Sequence, residues 1–285
     1  MELKIINIGH LFEPLLEEIK KRTGAPEIQI TNLPTLNDMI WGVRKRKLTI
    51  IGARPSHGKS AFAVQICLDI VKQNKSVIFF SLEMENLECA ERLIAYELKI
   101  HNKTIQRGDI SNDYNRINQF AESIKSKKFF ISDCIGRTWQ QIADVIEKLR
   151  KIDKVPDVIV LDYIQNTKGE GNAKEAMDEY IRKFREMAIR YNFAGILCSQ
   201  INRASQDGEE KAPMLHQLKG SGFIEEHADI VLLLHWPYKY DCSKDKYHFE
   251  INVAKNKLGD TGWINVKYEP EFFKFSEPII ESIKY

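Results

Sequence analysis

The chain has 285 residues and a formal net charge of +2. That length suits one large α/β domain or a domain with a small appendage, and 43% hydrophobic with 29% charged residues excludes a disordered chain. The weakly basic balance gives no general nucleic-acid signal, so any DNA-binding site must be local.

The cysteines are scattered, odd in number and never in a Cys-x-x-Cys pair: Cys67, Cys89, Cys134, Cys198 and Cys242. We interpret them as reduced thiols of a cytoplasmic protein, without a disulfide framework or a zinc site. No apolar run approaches ~20 residues, the length that spans a bilayer. The N-terminus lacks the pattern of a signal peptide, so we expect no membrane segment.

The first predicted element is an amphipathic helix in residues 10–22. Pro14 fits its first turn and Gly24 ends it. Its apolar residues share one helical face: Leu11, Phe12, Leu15, Leu16 and Ile19. The helix either packs on its own domain or docks on a neighbouring subunit. We assign residues 1–25 to this linker or docking segment and 26–285 to the main domain.

In the main domain, short apolar runs alternate with amphipathic helical stretches, which predicts an α/β fold with a mostly parallel sheet flanked by helices. Strands are predicted at 47–53, 76–83, 127–133, 157–164, 193–200, 228–235 and 247–254. Helices are predicted at 60–73, 86–98, 112–126, 138–152 and 173–191. Residues 261–276 predict antiparallel C-terminal strands. Long loops are predicted at 165–172, 202–221 and 255–263.

The strongest motif is GARPSHGKS, which matches G-x-x-x-x-G-K-[ST] in full. A predicted strand precedes it and a helix follows, so backbone N–H groups and the helix N-terminus would surround a phosphate. We predict that Lys59 contacts the β- and γ-phosphates of ATP and that Ser60 ligates Mg²⁺. The alternative is an ordinary glycine-containing loop with a surface lysine. The predicted nucleotide-binding residues are Gly52, Ala53, Arg54, Pro55, Ser56, His57, Gly58, Lys59, Ser60 and Ala61.

Polar side chains also follow three other predicted strands. Asp162 ends VIVLD and is the candidate that holds Mg²⁺ from the far side; a helix-capping Asp is the alternative. Glu83 follows the strand after the P-loop helix and could orient and deprotonate a water, although a solvated Glu at a helix start fits equally. Gln200 could sense the γ-phosphate, but alone it indicates a strand-to-loop transition.

Together these segments resemble the C-terminal ATPase domain of DnaB-type replicative helicases, in the order found in that family. GARPSHGKSAFA resembles the Walker A motif of the family, FFSLEM its strand with the catalytic glutamate and VIVLDYIQ its Walker B motif. CSQINR is similar to its SQLNR motif, and LKGSGFIEEHADIVLLL to its L-R-x-SG-x-IEQDAD segment. The likeness covers nearly all of the main domain.

The resemblance implies a RecA-like core that forms a hexameric ring around single-stranded DNA and translocates by hydrolysing ATP with Mg²⁺. Glu83 would be the water-activating base, Arg92 would contact phosphates, and Gln200 would couple nucleotide state to the DNA loops. Lys219 and Gly222 would touch the DNA backbone. Family partners would include a primase and a helicase loader, in the cytoplasm of a bacterium or a phage-infected host.

The chain departs from the family pattern at three points. The helical N-terminal domain is missing, so we expect an excised domain or a naturally short protein. Lys219 stands where Arg is usual. Family members supply a Lys and an Arg to the ATP of the neighbouring subunit; Lys255 is kept here, but Lys257 replaces the Arg.

Three other classes of protein remain open from the residues. One is another RecA-like ATPase, either a recombinase or a regulatory switch, against which FFSLEM and IEEHAD argue. The second is a P-loop small-molecule kinase, which would act without DNA. The third is a non-catalytic scaffold gated by nucleotide, an alternative that remains because Lys257 stands where the family has an arginine. ATPase rates with and without DNA separate most of these classes.

Overall fold

The structure is a computed structural model that describes residues 5–20, 24–163, 173–201, 212–218 and 221–278. Its central feature is a nine-stranded sheet in the order β3-β2-β4-β5-β1-β6-β7-β8-β9. The strands are β1 (Leu48–Ala53), β2 (Val77–Ser81), β3 (Phe129–Asp133), β4 (Val158–Asp162), β5 (Ala194–Gln200), β6 (Ile230–His235), β7 (His248–Asn256), β8 (Gly262–Glu269) and β9 (Lys274–Ser276).

The first six strands pair in parallel, and β6 to β9 pair antiparallel. Strands β1, β2, β4 and β6 are buried along their whole length, as expected for strands covered on both faces. Because parallel strands share a direction, the carboxyl ends of β2, β4, β5 and β1 meet at one edge of the sheet. We call this the carboxyl edge, and the other the amino edge.

The helices are α1 (Phe12–Lys20), α2 (Pro34–Ile40), α3 (Lys59–Lys72), α4 (Asn86–Leu98), α5 (Asn102–Arg107), α6 (Tyr114–Lys125), α7 (Trp139–Lys151), α8 (Ala173–Tyr191) and α9 (Ser221–His227). Buried residues of α2, α3 and α4 form one core with one face of the sheet. Those of α7, α8 and α9 form a second core on the other face. None of the helices in the described ranges is long and apolar enough to cross a membrane.

The predicted alternation of strands and helices is confirmed, with ends that differ by at most two residues in the main domain. The loop predicted at 255–263 is wrong in part, because β7 continues through Asn256 and places Lys255 in a strand. The loop predicted at 202–221 contains a short 3-10 helix, Leu215–Gln217, and leads into α9. Residues 202–211 and the predicted loop at 165–172 lie outside the described residues.

The N-terminal helix is confirmed as α1, preceded by a 3-10 turn at Ile8–Leu11. No residue of either element is buried. The apolar face that the sequence predicts is therefore exposed, with Phe12 at 59% and Leu16 at 54% of full accessibility.

Candidate nucleotide-binding site

The loop between β1 and α3 is shaped by residues that adopt a positive φ. Ser56 has φ 64° and Gly58, directly before α3, has φ 76°. A side chain on Gly58 would also lie 2.9 Å from Cζ of Phe275, so both backbone conformation and space favour glycine there. The loop therefore turns sharply into the N-terminus of a buried helix, where free backbone N–H groups and the helix dipole favour an anion.

A cavity of ≈ 350 Å³ opens beside this loop at the carboxyl edge. It brings together predicted site residues from separate parts of the sequence. Its lining residues are Ala53, Arg54, Pro55, Ser56, Gly58, Lys59, Ser60, Glu83, Met84, Glu88, Arg92, Tyr163 and Gln200. The register explains the convergence, since Ala53 pairs with Gln200 in neighbouring strands and Ser81, two residues before Glu83, pairs with Asp162.

Lys59 and Asp162 form a buried ion pair at the inner wall of this cavity. Burial disfavours the Lys59 ammonium, but the Asp162 carboxylate outweighs it and raises the pKa of Lys59 above its ordinary value. Lys59 Nζ also lies 4.4 Å from the centroid of the Tyr163 ring. The P-loop lysine is therefore charged and held where a phosphate would enter.

The second oxygen of Asp162, Oδ2, is buried and has no hydrogen-bond partner among the described residues. Such an atom is costly unless a ligand satisfies it. Within the same residues, no group of three or more His, Cys, Asp or Glu side chains could hold a metal ion. Mg²⁺ in nucleotide sites uses one or two protein oxygens together with phosphates. Asp162 and Ser60 fit that requirement.

Glu83 and Arg92 line the outer part of the cavity. Glu83 is exposed and lies just beyond β2. Arg92, on α4, pairs with Glu88 at 2.8 Å, and its guanidinium lies 5.1 Å from the centroid of Phe273. Its Nε is buried and has no hydrogen-bond partner among the described residues. The Phe273 ring and Glu88 thus hold Arg92 at the rim of the cavity, with a hydrogen-bond donor that no described residue uses.

Three residues of the predicted nucleotide-binding set do not line the cavity but lie behind it. Ala61 is buried in α3, and a side chain on Gly52 would lie 2.6 Å from Cδ2 of Leu218. His57 is buried, and its Nδ1 accepts the backbone N–H of Trp236 at 3.2 Å. Burial, with nearby positive charge, lowers the pKa of His57 to about 3, so its ring is a neutral packing element.

Sequence reasoning missed Tyr163, Met84 and Glu88 as lining residues. Tyr163 directly follows the predicted metal ligand Asp162, and Met84 directly follows Glu83. Their adjacency to predicted site residues was the available signal, but neither residue type points to nucleotide chemistry on its own.

The sequence model of the DnaB-like helicase C terminal domain matches residues 30–277 of the chain. The chain belongs to that family. A probable replicative DNA helicase of Trieres chinensis is 29% identical over 283 residues, which cover 95% of this chain and 62% of the relative. The chain spans 50% to 65% of the length of the curated relatives that it matches.

Solved structures of the family have the same fold. A DnaB-like replicative helicase, described with its interactions with primase, superposes with a TM-score of 0.86 at 26% identity, over 95% of this chain and 68% of that one. A solved ATPase domain gives a TM-score of 0.86 at 25% identity, over 96% of this chain and 100% of that one. The RecA-like arrangement of this DnaB-like domain is therefore established.

Lys255 and Lys257 lie at the amino edge of the sheet in this DnaB-like domain, away from the P-loop of their own chain. Lys255 pairs in register with Val231, which pairs with Ile50 of β1. The loop that follows β1 begins at Arg54, four residues beyond Ile50 and roughly 13 Å along the strand direction. Lys255 Nζ donates to the carbonyl oxygen of Glu225, and Lys257 Nζ to that of Glu226 at 3.3 Å. Both ammonium groups therefore cap the C-terminal end of α9.

The two predicted DNA contacts lie in the segment that leads into α9. Lys219 is outside the described residues. Gly222 is exposed in α9, and a side chain placed on it would meet none of the described residues within 4 Å.

Proposed function

We propose that this domain is the ATP-driven motor of a replicative DNA helicase. It would hydrolyse ATP at the subunit interfaces of a hexameric ring, translocate on single-stranded DNA and unwind duplex ahead of it. The observation that carries the proposal is the cavity in which the P-loop, the Lys59–Asp162 pair, Glu83, Arg92 and Gln200 meet.

The cavity supports binding of a nucleotide by its phosphates. Lys59 and the N-terminus of α3 supply positive charge at the inner wall, and Arg92 supplies it at the rim. Asp162 and Ser60 would hold Mg²⁺, which neutralises phosphate charge when bound.

Glu83 is the base in the proposed hydrolysis. It is an exposed carboxylate on the cavity wall, just beyond the end of β2. Glu83 would take a proton from the attacking water as the water oxygen bonds to the γ-phosphorus. The bond to the bridging oxygen of ADP breaks and its electron pair leaves with ADP.

The opposite positions of the cavity and the two lysines support a subunit interface. Each chain carries the cavity at one edge of its sheet and Lys255 with Lys257 at the other. A lysine that serves ATP must therefore serve the ATP of a second copy. Such contacts join unlike surfaces head to tail, and head-to-tail contacts close into rings when the rotation permits.

Lys219 and Gly222 would contact the DNA backbone, because a motor must step along any sequence. Gln200, at the cavity, would report nucleotide state to that segment. A primase and a helicase loader are the proposed protein partners; one structural relative is described with primase. Action on bacterial or phage DNA places the protein in the cytoplasm of a bacterium or an infected host.

Strand separation tests this function. The substrate is a DNA fork with one labelled strand, and the comparison is between the wild-type chain and Lys59→Ala. We expect ATP-dependent release of the labelled strand by the wild-type chain and none by Lys59→Ala, which loses a phosphate ligand. ATP hydrolysis without strand release would favour a RecA-like ATPase of another class.

A further inference from the structure

Asp229, just before β6, is the meeting point of three positively charged side chains. Its Oδ1 lies 3.4 Å from Arg185 Nη2, 3.8 Å from Lys257 Nζ and 3.9 Å from Lys47 Nζ. The carboxylate is buried, and its Oδ2 is occupied by the backbone N–H of Leu48 at 3.0 Å. One oxygen atom therefore faces three cations.

Lys255 adds a fourth positive charge to this group. Burial, followed by repulsion from Lys257 and Arg185, lowers its pKa, and the attraction of Asp229 and Glu225 offsets this only in part. We call Lys47, Arg185, Lys255 and Lys257 the cationic cluster. Like charges held this closely favour the arrival of an anion.

Arg185 is the guanidinium of the cationic cluster, and part of its hydrogen-bonding capacity is unused among the described residues. Its contact with Asp229 is longer than the ~2.7–2.9 Å of a strong charge-assisted hydrogen bond. Its Nε is buried without a hydrogen-bond partner among the described residues. The side chain is 29% exposed, so a ligand can reach it. A guanidinium has five N–H donors, and the Nε donor of Arg185 is unpaired among the described residues.

We propose that Arg185 supplies, to the nucleotide of a neighbouring copy, the guanidinium that position 257 lacks. The inference rests on the proposed function. Arg185, from α8, and Lys257, after β7, approach the same oxygen of Asp229, so the arginine stands where the charge of position 257 acts. A guanidinium holds two phosphate oxygens at once, whereas an ammonium is a point charge.

The cationic cluster cannot act on the nucleotide of its own chain, since it lies at the amino edge and the P-loop at the carboxyl edge. In the proposed assembly, its partner is a second copy of this chain with ATP in its cavity. Arg185 would stabilise the charge on the γ-phosphate oxygens as the bond to ADP breaks.

The test compares Arg185→Gln with Arg182→Gln, a matched control one turn earlier on α8 whose arginine pairs with exposed Glu186 at 2.7 Å. We expect Arg185→Gln to bind a fluorescent ATP analogue normally and to lose DNA-stimulated turnover by roughly 10²-fold or more. Arg182→Gln should turn over at the wild-type rate. Full turnover by Arg185→Gln would overturn the inference.

Mixing of subunits separates action in trans from a local packing defect. Arg185→Gln chains have an intact P-loop, and Lys59→Ala chains have an intact Arg185. A mixture should turn over faster than either parent, because some Arg185→Gln sites then receive Arg185 from a neighbour. A mixture no faster than its parents would overturn the inference.

Two further variants distinguish a loss of catalysis from a loss of folding. Lys257→Arg in the Arg185→Gln background should restore turnover, because it places a guanidinium again beside Asp229. If Arg185→Gln unfolds at a lower temperature than wild type, Arg185→Lys replaces it in the test, because lysine keeps the positive charge beside Asp229. Wild-type turnover by Arg185→Lys would overturn the inference. A wild-type chain without DNA-stimulated turnover would instead defeat the proposed function and the inference together.

Discussion

Glu83 is the carboxylate that we propose as the base in ATP hydrolysis, and the proposal depends on where Glu83 lies. It lies beyond β2, exposed, on the wall of the cavity that also holds Lys59. A carboxylate within reach of a bound water can accept a proton from it. The sequence left a solvated glutamate at a helix start as an equal alternative. Its place in the cavity supports the catalytic assignment.

We predict that Glu83→Gln keeps nucleotide binding and loses hydrolysis by roughly 10²-fold or more, because the amide cannot take the proton. Steady-state ATPase rates and binding of a fluorescent ATP analogue measure the two effects. Glu85→Gln is the control, since Glu85 is also exposed near the start of α4 but does not line the cavity. Unchanged turnover in Glu83→Gln would remove it from the mechanism.

At the scale of elements, the sheet was predictable and the short helices were not. Continuous apolar runs and the complete P-loop motif mark β1, α3 and β4 in sequence. Helix α2 has only seven residues, and Leu33 before it gives no side-chain cap; it forms because Leu36 and Ile40 are buried and Asn37 bonds to Ile30. Those are tertiary contacts, which periodicity does not reveal.

The same distinction applies to the candidate site. Motif residues predicted the P-loop, Asp162 and Glu83, because their chemistry is local to strand ends. The approach of Arg185 to Asp229 spans 44 positions of sequence and joins α8 to the start of β6. It depends on how α8 packs on the sheet, so no spacing rule could have found it.

Asp157, directly before β4, forms hydrogen bonds and an ion pair at the amino edge of the sheet. It accepts hydrogen bonds from the backbone N–H and hydroxyl of Ser76, both at 2.8 Å, and pairs with Lys45 at 2.7 Å. Burial opposes its ionisation, but the hydrogen bonds from Lys45 and Ser76 prevail and lower the pKa of Asp157 to about 2. Folding therefore favours the charged carboxylate.

We predict that Asp157→Asn lowers the free energy of unfolding at pH 7 by about 1 kcal/mol, after allowance for solvent screening. Because the pKa of Asp157 is lower in the folded state, its charge stabilises the fold at pH values above 3.8. That stabilisation is lost as the pH falls towards 2. The difference between wild type and variant should therefore shrink across that window in urea unfolding. Exposed Asp153→Asn is the control. A difference that does not change with pH would contradict the prediction.

Helix α1 carries an exposed apolar face, which a neighbouring subunit could cover. All its residues are exposed, and its apolar face would be unfavourable in water without a partner surface. We predict that removal of residues 1–24, or Leu15→Glu with Leu16→Glu, weakens oligomer formation and leaves thermal unfolding unchanged. Sedimentation and melting curves measure the two effects, with Glu18→Lys on the polar face as control. Loss of folding together with assembly would mean that the helix packs on its own core.

At the scale of the whole molecule, the proposed mechanism divides one catalytic site between two edges of the domain. The cavity proposed to bind phosphate lies at the carboxyl edge, and the cationic cluster lies at the amino edge. Neither half reaches the other within one chain, so catalytic activity should depend on assembly. Turnover per chain should rise with protein concentration until the oligomer is complete.

The central claim is that this DnaB-like domain is an ATP-driven DNA motor that works between subunits. The most direct test is the ATPase rate of the full chain with and without single-stranded DNA, with solution mass measured in the same samples. We predict turnover that is stimulated by DNA and that follows the hexamer as the chain is diluted. Turnover at the same rate with or without DNA, by a chain that remains monomeric, would contradict the account.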